Sequence, residues 1–312
     1  MTTEPAFIDL LRAIATDPAA RGLDDDAAVL TIGKQALVLT KDMLVEGVHF
    51  LPDDPPADIA WKLVAVNASD LAAKGASPLA CLTGHSLSHD AEWDTAFAEG
   101  LKAALDQHGM LLIGGDTVSV PAGQARVLSL TAIGLPSVPV PPSRAGALAG
   151  DGLFVTGTIG DGWAGLRLLQ AGKTEPASLV AAYRRPQARL ADGPLLAQVA
   201  HAMMDVSDGL LIDAARMARA SGLAVRIDLA QVPLSTDFIA TMGSDQAAAI
   251  LAAAGGDDYQ LLFAADAEAH LPVAATRIGG FGETDGNGGE GIALSWNGMP
   301  VETPGKLGWL HG

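Results

Sequence analysis

A proline-dense segment, LPSVPVPPSRAG at residues 135–146, divides this chain into two stretches that each mix helix and strand patterns. Proline does not continue a helix or the interior of a sheet, so the segment predicts a crossover between two domains. A long surface loop inside one domain is the alternative interpretation. With 312 residues the chain is long enough for two domains of ordinary size. Because both stretches mix helices and strands, the predicted class is α/β or α+β.

Hydrophobic periodicity, together with glycine and proline stops, predicts the individual elements. Helices are predicted at 58–75, 92–108, 162–171, 192–202 and 208–220, after a first helix that begins behind Thr3. Strands are predicted at 36–40, 79–87, 110–113, 126–134, 153–156, 203–206, 224–229, 259–264 and 291–296. The glycine-rich stretch at 284–291 is predicted to be a loop.

The charge of the chain argues against nucleic acid as a partner. The formal net charge is −17, and the sequence has no run rich in lysine or arginine. Nucleic acid requires a basic surface that displaces its counterions. A phosphorylated small molecule remains compatible with an acidic chain if divalent cations lie between the two sets of negative charge.

Cysteine content and the N-terminal pattern predict a cytoplasmic protein that does not enter a membrane. The single cysteine, Cys81, excludes an internal disulfide and a cysteine-based zinc site, which fits a reducing compartment. The first residues are acidic and lack the basic start of a signal peptide. No uninterrupted apolar run approaches the roughly 20 residues that a membrane helix needs.

Aspartates beside apolar segments carry the chemical signal of this sequence. They recur in both stretches next to glycine, serine or threonine, at Asp25, Asp26, Asp42, Asp70, Asp116, Asp205, Asp208, Asp257 and Asp258. Any one of them alone is more often a turn or helix-cap residue. A partly buried set stays ionised only if cations are present, and few lysines or arginines lie nearby in sequence. The set therefore predicts bound Mg²⁺, which joins carboxylates to substrate phosphates.

The usual nucleotide and nucleophile motifs are missing. The segment VTGTIGDGWAGL at 155–166 is rich in glycine but lacks the Gly-Lys-Ser/Thr of a Walker A sequence. No G-x-S-x-G or Cys/His arrangement predicts a covalent nucleophile. The sequence therefore gives no sign of a covalent enzyme intermediate.

Six segments, in order along the chain, resemble the hallmark motifs of the thiamine-monophosphate kinase family. They are LTKDMLVEGVHF (39–50), AVNASDLAAKGASP (65–78), IGGDT (113–117), VTGTIGD (155–161), DVSDGL (205–210) and GGDDYQLLF (255–263). The resemblance covers nearly the whole chain, and the combination is specific although each segment alone is not. The family belongs to the superfamily of aminoimidazole ribonucleotide synthetase.

This resemblance implies a two-domain aminoimidazole ribonucleotide synthetase-like fold. An N-terminal domain, residues 1–138, would bind ATP and metal and form a homodimer through its sheet. A C-terminal α+β domain, residues 139–312, would complete the active-site cleft. The implied reaction is the ATP-dependent phosphorylation of thiamine monophosphate to thiamine diphosphate, by direct Mg²⁺-assisted phosphoryl transfer without a phosphorylated enzyme.

The resemblance also implies roles for individual residues. The implied Mg²⁺ ligands are Asp25, Thr40, Asp42, Asp70, Asp116, Asp205 and Asp208. The implied catalytic set among them is Asp42, Asp70, Asp116 and Asp205. The implied contacts of ATP are Gly115, Asp116, Arg144 and Ser207. The implied contacts of the thiamine phosphate are His49, Asp257 and Trp309, with packing roles as the alternative for His49 and Trp309.

Four residues depart from the family pattern. Lys41 stands directly before Asp42 where the family usually has a hydroxyl residue, and a protonated lysine cannot bind a metal. Asp257 and Gln260 stand where the family pattern has glutamates, and His108 stands where a tyrosine is common.

Two other functions remain open. One is a different ATP-using reaction of the same superfamily. Its selenophosphate-forming and hydrogenase-maturation members are expected to carry a functional cysteine near one terminus, and this sequence has none there. The other is a non-catalytic nucleotide-binding module, which the departures at Lys41 and Asp257 motivate.

Overall fold

The computed structural model describes residues 3–88, 90–121, 123–284 and 291–310. They form a five-stranded sheet before residue 137 and a seven-stranded sheet after residue 151, each with its own helices. The predicted mix of helices and strands in both parts is confirmed. Most of the predicted loop at 284–291 lies outside the described residues. Among the described residues, none of the helices combines the length and apolarity needed to cross a bilayer.

The first sheet has the strand order β1-β2-β5-β3-β4. Its strands are β1 (Ala28–Ile32), β2 (Gln35–Val45), β3 (Ala76–Leu87), β4 (Leu111–Ser119) and β5 (Val127–Pro136). The helices of this part are α1 (Glu4–Arg12), α2 (Pro56–Ala73) and α3 (Ala91–His108), with a 3₁₀ helix at Pro18–Leu23. Only the β3–β4 pair is parallel, because α3 provides the crossover between these two strands.

Helix α2 is the central element of the molecule. Pro56 begins it, and 13 of its 18 residues are buried because it packs on the first sheet and on parts of the second domain. Lys74 and Gly75 end it. Gly75 has φ of +59°, and a Cβ there would lie 2.3 Å from the Cβ of Ala197, so both its conformation and its packing require glycine.

The second sheet has the order β12-β11-β8-β10-β6-β9-β7. Its strands are β6 (Gly152–Val155), β7 (Ala202–Asp205), β8 (Ala224–Asp228), β9 (Leu261–Ala265), β10 (Thr276–Gly282), β11 (Ile292–Trp296) and β12 (Met299–Val301). The helices are α4 (Asp161–Gln170), α5 (Ala177–Arg184), α6 (Gly193–Leu196), α7 (Leu210–Ala220), α8 (Thr236–Met242) and α9 (Gln246–Ala253). Its strands pair antiparallel except β8 with β11.

Several predicted boundaries were wrong. The helix predicted at 192–202 is only the four-residue α6, which begins at Gly193. Gly193 packs so closely on α2 that a Cβ would lie 2.2 Å from the carbonyl oxygen of Ala72. The strand predicted at 36–40 continues to Val45, so Asp42 lies inside β2 rather than after it. The strand predicted at 110–113 continues to Ser119.

Candidate functional site

Aspartates from three elements converge where the two domains meet. Asp26 precedes β1, Asp70 lies on α2, and Asp205 ends β7. One carboxylate oxygen from each lies within 4.8 Å of the other two. Oxygens at this spacing are able to bind one cation together.

Two further aspartates, Asp42 and Asp208, interact electrostatically with this group. Burial raises the pKa of Asp42, on β2, to about 6, and the charges of Asp26 and Asp208 add to the effect. Asn67, on α2, holds this part of β2 in place because its Oδ1 accepts a hydrogen bond from the Asp42 N–H at 3.1 Å. We call Asp26, Asp42, Asp70, Asp205 and Asp208 the acidic cluster.

The most buried members of the acidic cluster resist ionisation. Burial is the main cause that raises the pKa of both Asp70 and Asp205 well above its ordinary value, and neighbouring aspartates raise it further. Hydrogen bonds from Thr40 to Asp70 and from Ser69 to Asp205, the latter at 2.6 Å, oppose these shifts. Without a compensating cation, the cluster would therefore tend to retain protons.

One oxygen of the cluster lacks a hydrogen bond. Oδ2 of Asp26 is buried and receives none from the described residues, although Nζ of Lys74 lies 2.8 Å away at an unsuitable angle. Its other oxygen, Oδ1, accepts from Nε of Arg144 at 2.8 Å. The charge of Oδ2 is therefore compensated by the Lys74 ammonium, although no hydrogen bond from the described residues satisfies this oxygen. Carboxylate oxygens that come from several elements are the ligand set that Mg²⁺, a hard ion, prefers.

Cationic side chains form ion pairs with two members of the acidic cluster, Asp26 and Asp208, and with the neighbouring Asp25. The ion pairs are Lys74 with Asp25 and Asp26, Arg21 with Asp25, Arg144 with Asp26, and Arg216 with Asp208. Burial would raise the pKa of Asp25, but Lys74 and Arg21 outweigh it and lower that pKa to about 2. The family resemblance implied Asp25 as the Mg²⁺ ligand of this segment. The structure instead engages Asp25 in ion pairs and brings Asp26 to the cluster.

Gly115 and Asp116 lie apart from the acidic cluster of their own chain. They belong to the edge strand β4, all of whose residues are exposed, and the Asp116 carboxylate accepts from the N–H of Thr117 at 2.9 Å. Asp42 and Gly115 share one row of the sheet but are three strands apart, a separation of about 14 Å. Gly115 must be glycine, since a Cβ would lie 2.1 Å from the carbonyl oxygen of Thr83.

The loop between β7 and α7 is held by a residue that the sequence analysis missed. Oδ2 of Asp213 accepts hydrogen bonds from the backbone N–H groups of Ser207, Asp208 and Gly209, at 3.1, 3.1 and 3.2 Å. Its Oδ1 accepts from Arg216 at 2.8 Å. Burial raises the pKa of Asp213 to about 6. A carboxylate in the first turn of a helix that follows a Ser-Asp-Gly loop is the sequence signal for this arrangement.

The predicted substrate contacts His49 and Asp257 share one partner, Lys62. This lysine is buried on α2, and its Nζ donates to the backbone oxygen of His49 at 3.1 Å and to Oδ2 of Asp257 at 2.8 Å. Oδ1 of Asp257 accepts from the hydroxyl of Tyr259 at 2.9 Å, and Nζ also lies 4.1 Å from the ring centroid of Tyr183. Sequence analysis missed Lys62, because a lysine within an apolar helix gives no sign of its distant partner.

The structure connects these residues to the acidic cluster. The backbone N–H of Asp257 donates to the carbonyl oxygen of Ser207 at 2.8 Å. The backbone N–H of Trp309 donates to the carbonyl oxygen of Asp208, also at 2.8 Å, and the ammonium of Lys306 lies 5.0 Å from the indole ring centroid. Predicted contacts of ATP, metal and substrate are therefore contiguous along this loop.

The remaining departures from the family pattern have ordinary surroundings. Gln260 accepts from Nε of Arg189 at 2.7 Å and from Thr156 at 3.1 Å. His108 is buried, and its ring lies edge-on to Trp61 with the ring centroids 5.1 Å apart. Lys41 is exposed on β2.

Comparisons with known proteins agree with this architecture. The AIR synthase related protein family matches the chain through its N-terminal domain at residues 24–135 and its C-terminal domain at 149–296. The thiamine-monophosphate kinase of Caulobacter vibrioides is 40% identical over 97% of this chain and 89% of its own length.

Two solved structures extend the likeness to the fold. AaThiL complexed with AMPPCP and TMP is 32% identical, covers 99% of this chain and 97% of its own, and superposes with a TM-score of 0.87. The thiamine-monophosphate kinase of Stenotrophomonas maltophilia K279a is 36% identical, with coverages of 95% and 96% and a TM-score of 0.75. The chain therefore belongs to the thiamine-monophosphate kinase family, within the AIR synthase related proteins.

Proposed function

We propose that this protein transfers the γ-phosphoryl group of ATP to thiamine monophosphate, with thiamine diphosphate and ADP as products. The acidic cluster carries this proposal, because it brings carboxylate oxygens of Asp26, Asp70 and Asp205, from both domains, within 4.8 Å of one another. The identity of the substrates rests on the relatives, which are named thiamine-monophosphate kinases and include a complex with AMPPCP and TMP.

We propose that the acidic cluster and Thr40 hold Mg²⁺, with Asp42, Asp70 and Asp205 as its catalytic members. Bound Mg²⁺ would offset the charge of the phosphates and of the departing ADP. The need is considerable, because two unit charges about 4 Å apart repel by roughly 4 kcal/mol at an effective dielectric of 20. The attacking phosphate oxygen is already anionic at neutral pH, so the protein needs no general base.

The other groups bind and orient the two substrates. Arg144 and Ser207 would contact ATP, and both are near the acidic cluster through Asp26 and Asp208. His49, Asp257 and Trp309 would contact thiamine monophosphate. Lys62 joins the first two of these and so would fix the distance between them.

We further propose a homodimer that forms through the first sheet. Nine consecutive residues of β4 are exposed, and they include the apolar side chains of Leu111, Ile113 and Val118. A long apolar edge strand is a pairing surface for another chain. In a dimer, Gly115 and Asp116 could approach the acidic cluster of the second copy. In their own chain, Gly115 lies about 14 Å from Asp42 of the acidic cluster.

Two coarser features complete the proposal. A domain boundary between residues 138 and 139 places the first sheet in one domain and the second in the other. A cytoplasmic location fits the single buried cysteine and a substrate that is a charged metabolite.

One assay tests the function. Purified protein is incubated with ATP and MgCl₂, with and without thiamine monophosphate, and ADP and thiamine diphosphate are quantified. We expect ADP release to require thiamine monophosphate and to match thiamine diphosphate one to one. ADP release that ignores thiamine monophosphate would instead support another ATP-using reaction of the superfamily, and ATP binding without turnover would support a non-catalytic module.

A further inference from the structure

A fully buried lysine lies against the acidic cluster. Lys74 follows the last turn of α2, and its side chain has no exposed surface. Its Nζ lies 2.5 Å from Oδ1 of Asp25, 2.8 Å from Oδ2 of Asp26 and 3.0 Å from the backbone oxygen of Met203. The ammonium therefore has only oxygen partners, which belong to both domains.

Burial of an ammonium group is expensive unless negative charge compensates it. Two carboxylates do so here, and their side chains are only 2% (Asp25) and 1% (Asp26) exposed. Asp25 gains a second cation, Arg21, at 2.6 Å. The negative charge of Asp25 is therefore compensated by Lys74 and Arg21 without a metal ion.

Asp26 stands between this lysine and the rest of the acidic cluster. Its Oδ2 lies near Lys74 but receives no hydrogen bond from the described residues, and the carboxylate also lies within reach of Asp70 and Asp205. Lys74 and a cation bound by Asp26, Asp70 and Asp205 would therefore act on the same carboxylate. Like charges so placed weaken each other's binding.

We propose that Lys74 is a built-in counter-ion of the Mg²⁺ site. It occupies the cation position beside Asp25 and holds the carboxylates of Asp25 and Asp26 in place before metal binds. It also lowers the affinity of the remaining cluster for Mg²⁺. This inference rests on the proposed Mg²⁺ site of the acidic cluster. It goes beyond that site, because a side chain of the protein, Lys74, supplies one of the cations that compensate the carboxylates.

The alternative is that Lys74 only anchors α2 to β7 through Met203. Both roles predict that the protein is less stable without the lysine. They differ in the response to metal, because a counter-ion competes with Mg²⁺ electrostatically and a mechanical anchor does not. Metal-free protein and Mg²⁺ titrations therefore separate them without any measurement of turnover.

The test compares wild type with Lys74→Met, which keeps the length and removes the charge, and with Lys74→Arg, which keeps the charge. Lys102→Met removes an exposed, ion-paired lysine and controls for net charge. Tm is measured in EDTA and across a MgCl₂ titration, and the Kd of Mg²⁺ is measured by calorimetry.

In EDTA we expect Lys74→Met to lose roughly 10 °C in Tm, because it leaves buried carboxylates without their partner. We expect Mg²⁺ to raise its Tm more than that of wild type. Its Kd for Mg²⁺ should fall at least tenfold, which corresponds to about 1.4 kcal/mol. Lys74→Arg and Lys102→Met should keep the wild-type Kd within threefold.

Equal Mg²⁺-induced shifts in wild type and Lys74→Met would overturn the counter-ion role and leave the anchor. A wild type that does not respond to Mg²⁺ would overturn the metal site itself, and Lys74 with it. If Lys74→Met does not fold, Lys74→Gln removes the charge but keeps hydrogen-bond donors toward Asp25 and Asp26. Its Kd for Mg²⁺ should also fall at least tenfold, and a Kd within threefold of wild type would contradict the proposal.

Discussion

At the scale of single residues, the acidic cluster holds carboxylates in an environment that penalises their charge. Asp70 and Asp205 are the clearest cases, since burial raises the pKa of each and neighbouring aspartates raise it further. The ion pairs of Lys74 and the arginines involve Asp25, Asp26 and Asp208, and they do not compensate the charges of Asp70 and Asp205. Metal-free protein is therefore destabilised at the position where function needs negative charge.

Replacement of Asp70 by asparagine should separate stability from activity. Asp70→Asn removes a buried charge but little volume, so we expect Tm in EDTA to rise by about 3 °C. Turnover should fall at least a hundredfold, because a proposed Mg²⁺ ligand is lost. Differential scanning calorimetry and the coupled ADP assay measure the two effects, with the exposed Asp106→Asn as the control. A variant that is less stable and fully active would contradict both roles.

The stability of metal-free protein should also depend on pH with a defined sign. The pKa of Asp42 and of Asp213 is about 6 in the fold, against about 3.9 for an unfolded aspartate. Between these values the folded chain binds more protons than the unfolded chain, so stability falls as pH rises from about 4 to 6. We expect Tm in EDTA to decline over this window. Saturating Mg²⁺ should reduce the decline without removing it, because Mg²⁺ would bind Asp42 but not Asp213, which is paired with Arg216. A Tm in EDTA that rises through the window would contradict these assignments.

The kind of residue at the candidate site could be predicted from the sequence, but the choice between neighbours could not. The aspartate pattern included Asp42, Asp70, Asp205 and Asp208, which the structure brings together, and it included both Asp25 and Asp26. The family resemblance implied Asp25 as the ligand, whereas the structure brings Asp26 to the cluster. A pattern cannot separate two adjacent aspartates, because the choice depends on which side chain meets Lys74 and Arg21. Few lysines or arginines lie near these aspartates in sequence, and the fold brings Arg144 to Asp26 and Arg216 to Asp208 from farther along the chain.

At the scale of elements, α2 positions groups for both halves of the site. Ser69 donates to Asp205, Lys62 pairs with Asp257, and Asp70 enters the acidic cluster, so one helix contacts three separate segments. Its sequence is largely Ala, Val and Leu, and buried polar residues in such a helix are tolerated only with partners. Each of them therefore fixes α2 relative to the second domain.

Loss of the Lys62 contact should weaken substrate binding selectively. Lys62→Met keeps the apolar stem but frees Asp257 and the His49 backbone, so we expect KM for thiamine monophosphate to rise at least tenfold, or about 1.4 kcal/mol. KM for ATP should change less than threefold, because the ATP contacts lie on other segments. Steady-state kinetics with each substrate varied in turn checks this, with Lys102→Met as the matched control. A parallel rise in both KM values would indicate a general disturbance of the fold instead.

The elements themselves were predictable where their patterns were long. The helices α2 and α3 were predicted to within about two residues, because apolar periodicity and the stops at Gly75 and Gly109 define them. The short helices α5, α8 and α9 and the strands β1, β10 and β12 were missed. Short elements carry too few residues to show a period, and tertiary packing selects them.

At the scale of the whole molecule, the first sheet has an edge strand, β4, whose residues are all exposed. Its outer strand β4 exposes Leu111, Leu112, Ile113 and Val118 by 51–65% each, and Leu82 on β3 is 41% exposed. Soluble proteins seldom leave so many neighbouring apolar side chains in water. The sequence did not predict this exposed surface, because the same apolar residues are typical of a buried strand. They are exposed because the described residues cover neither face of β4.

A charge in this strand should dissociate the proposed dimer. Ile113→Lys places an ammonium group, which is costly to desolvate, within the apolar surface, so we expect the particle mass in light scattering to halve relative to wild type. Turnover should fall with it, because Gly115 and Asp116 lie on the same strand and are about 14 Å from the cluster of their own chain. Leu10→Lys, on the exposed face of α1, adds the same charge elsewhere and should leave mass and turnover unchanged. A wild type that is monomeric and fully active would show that β4 needs no second copy. Its apolar side chains and Asp116 would then require a different explanation.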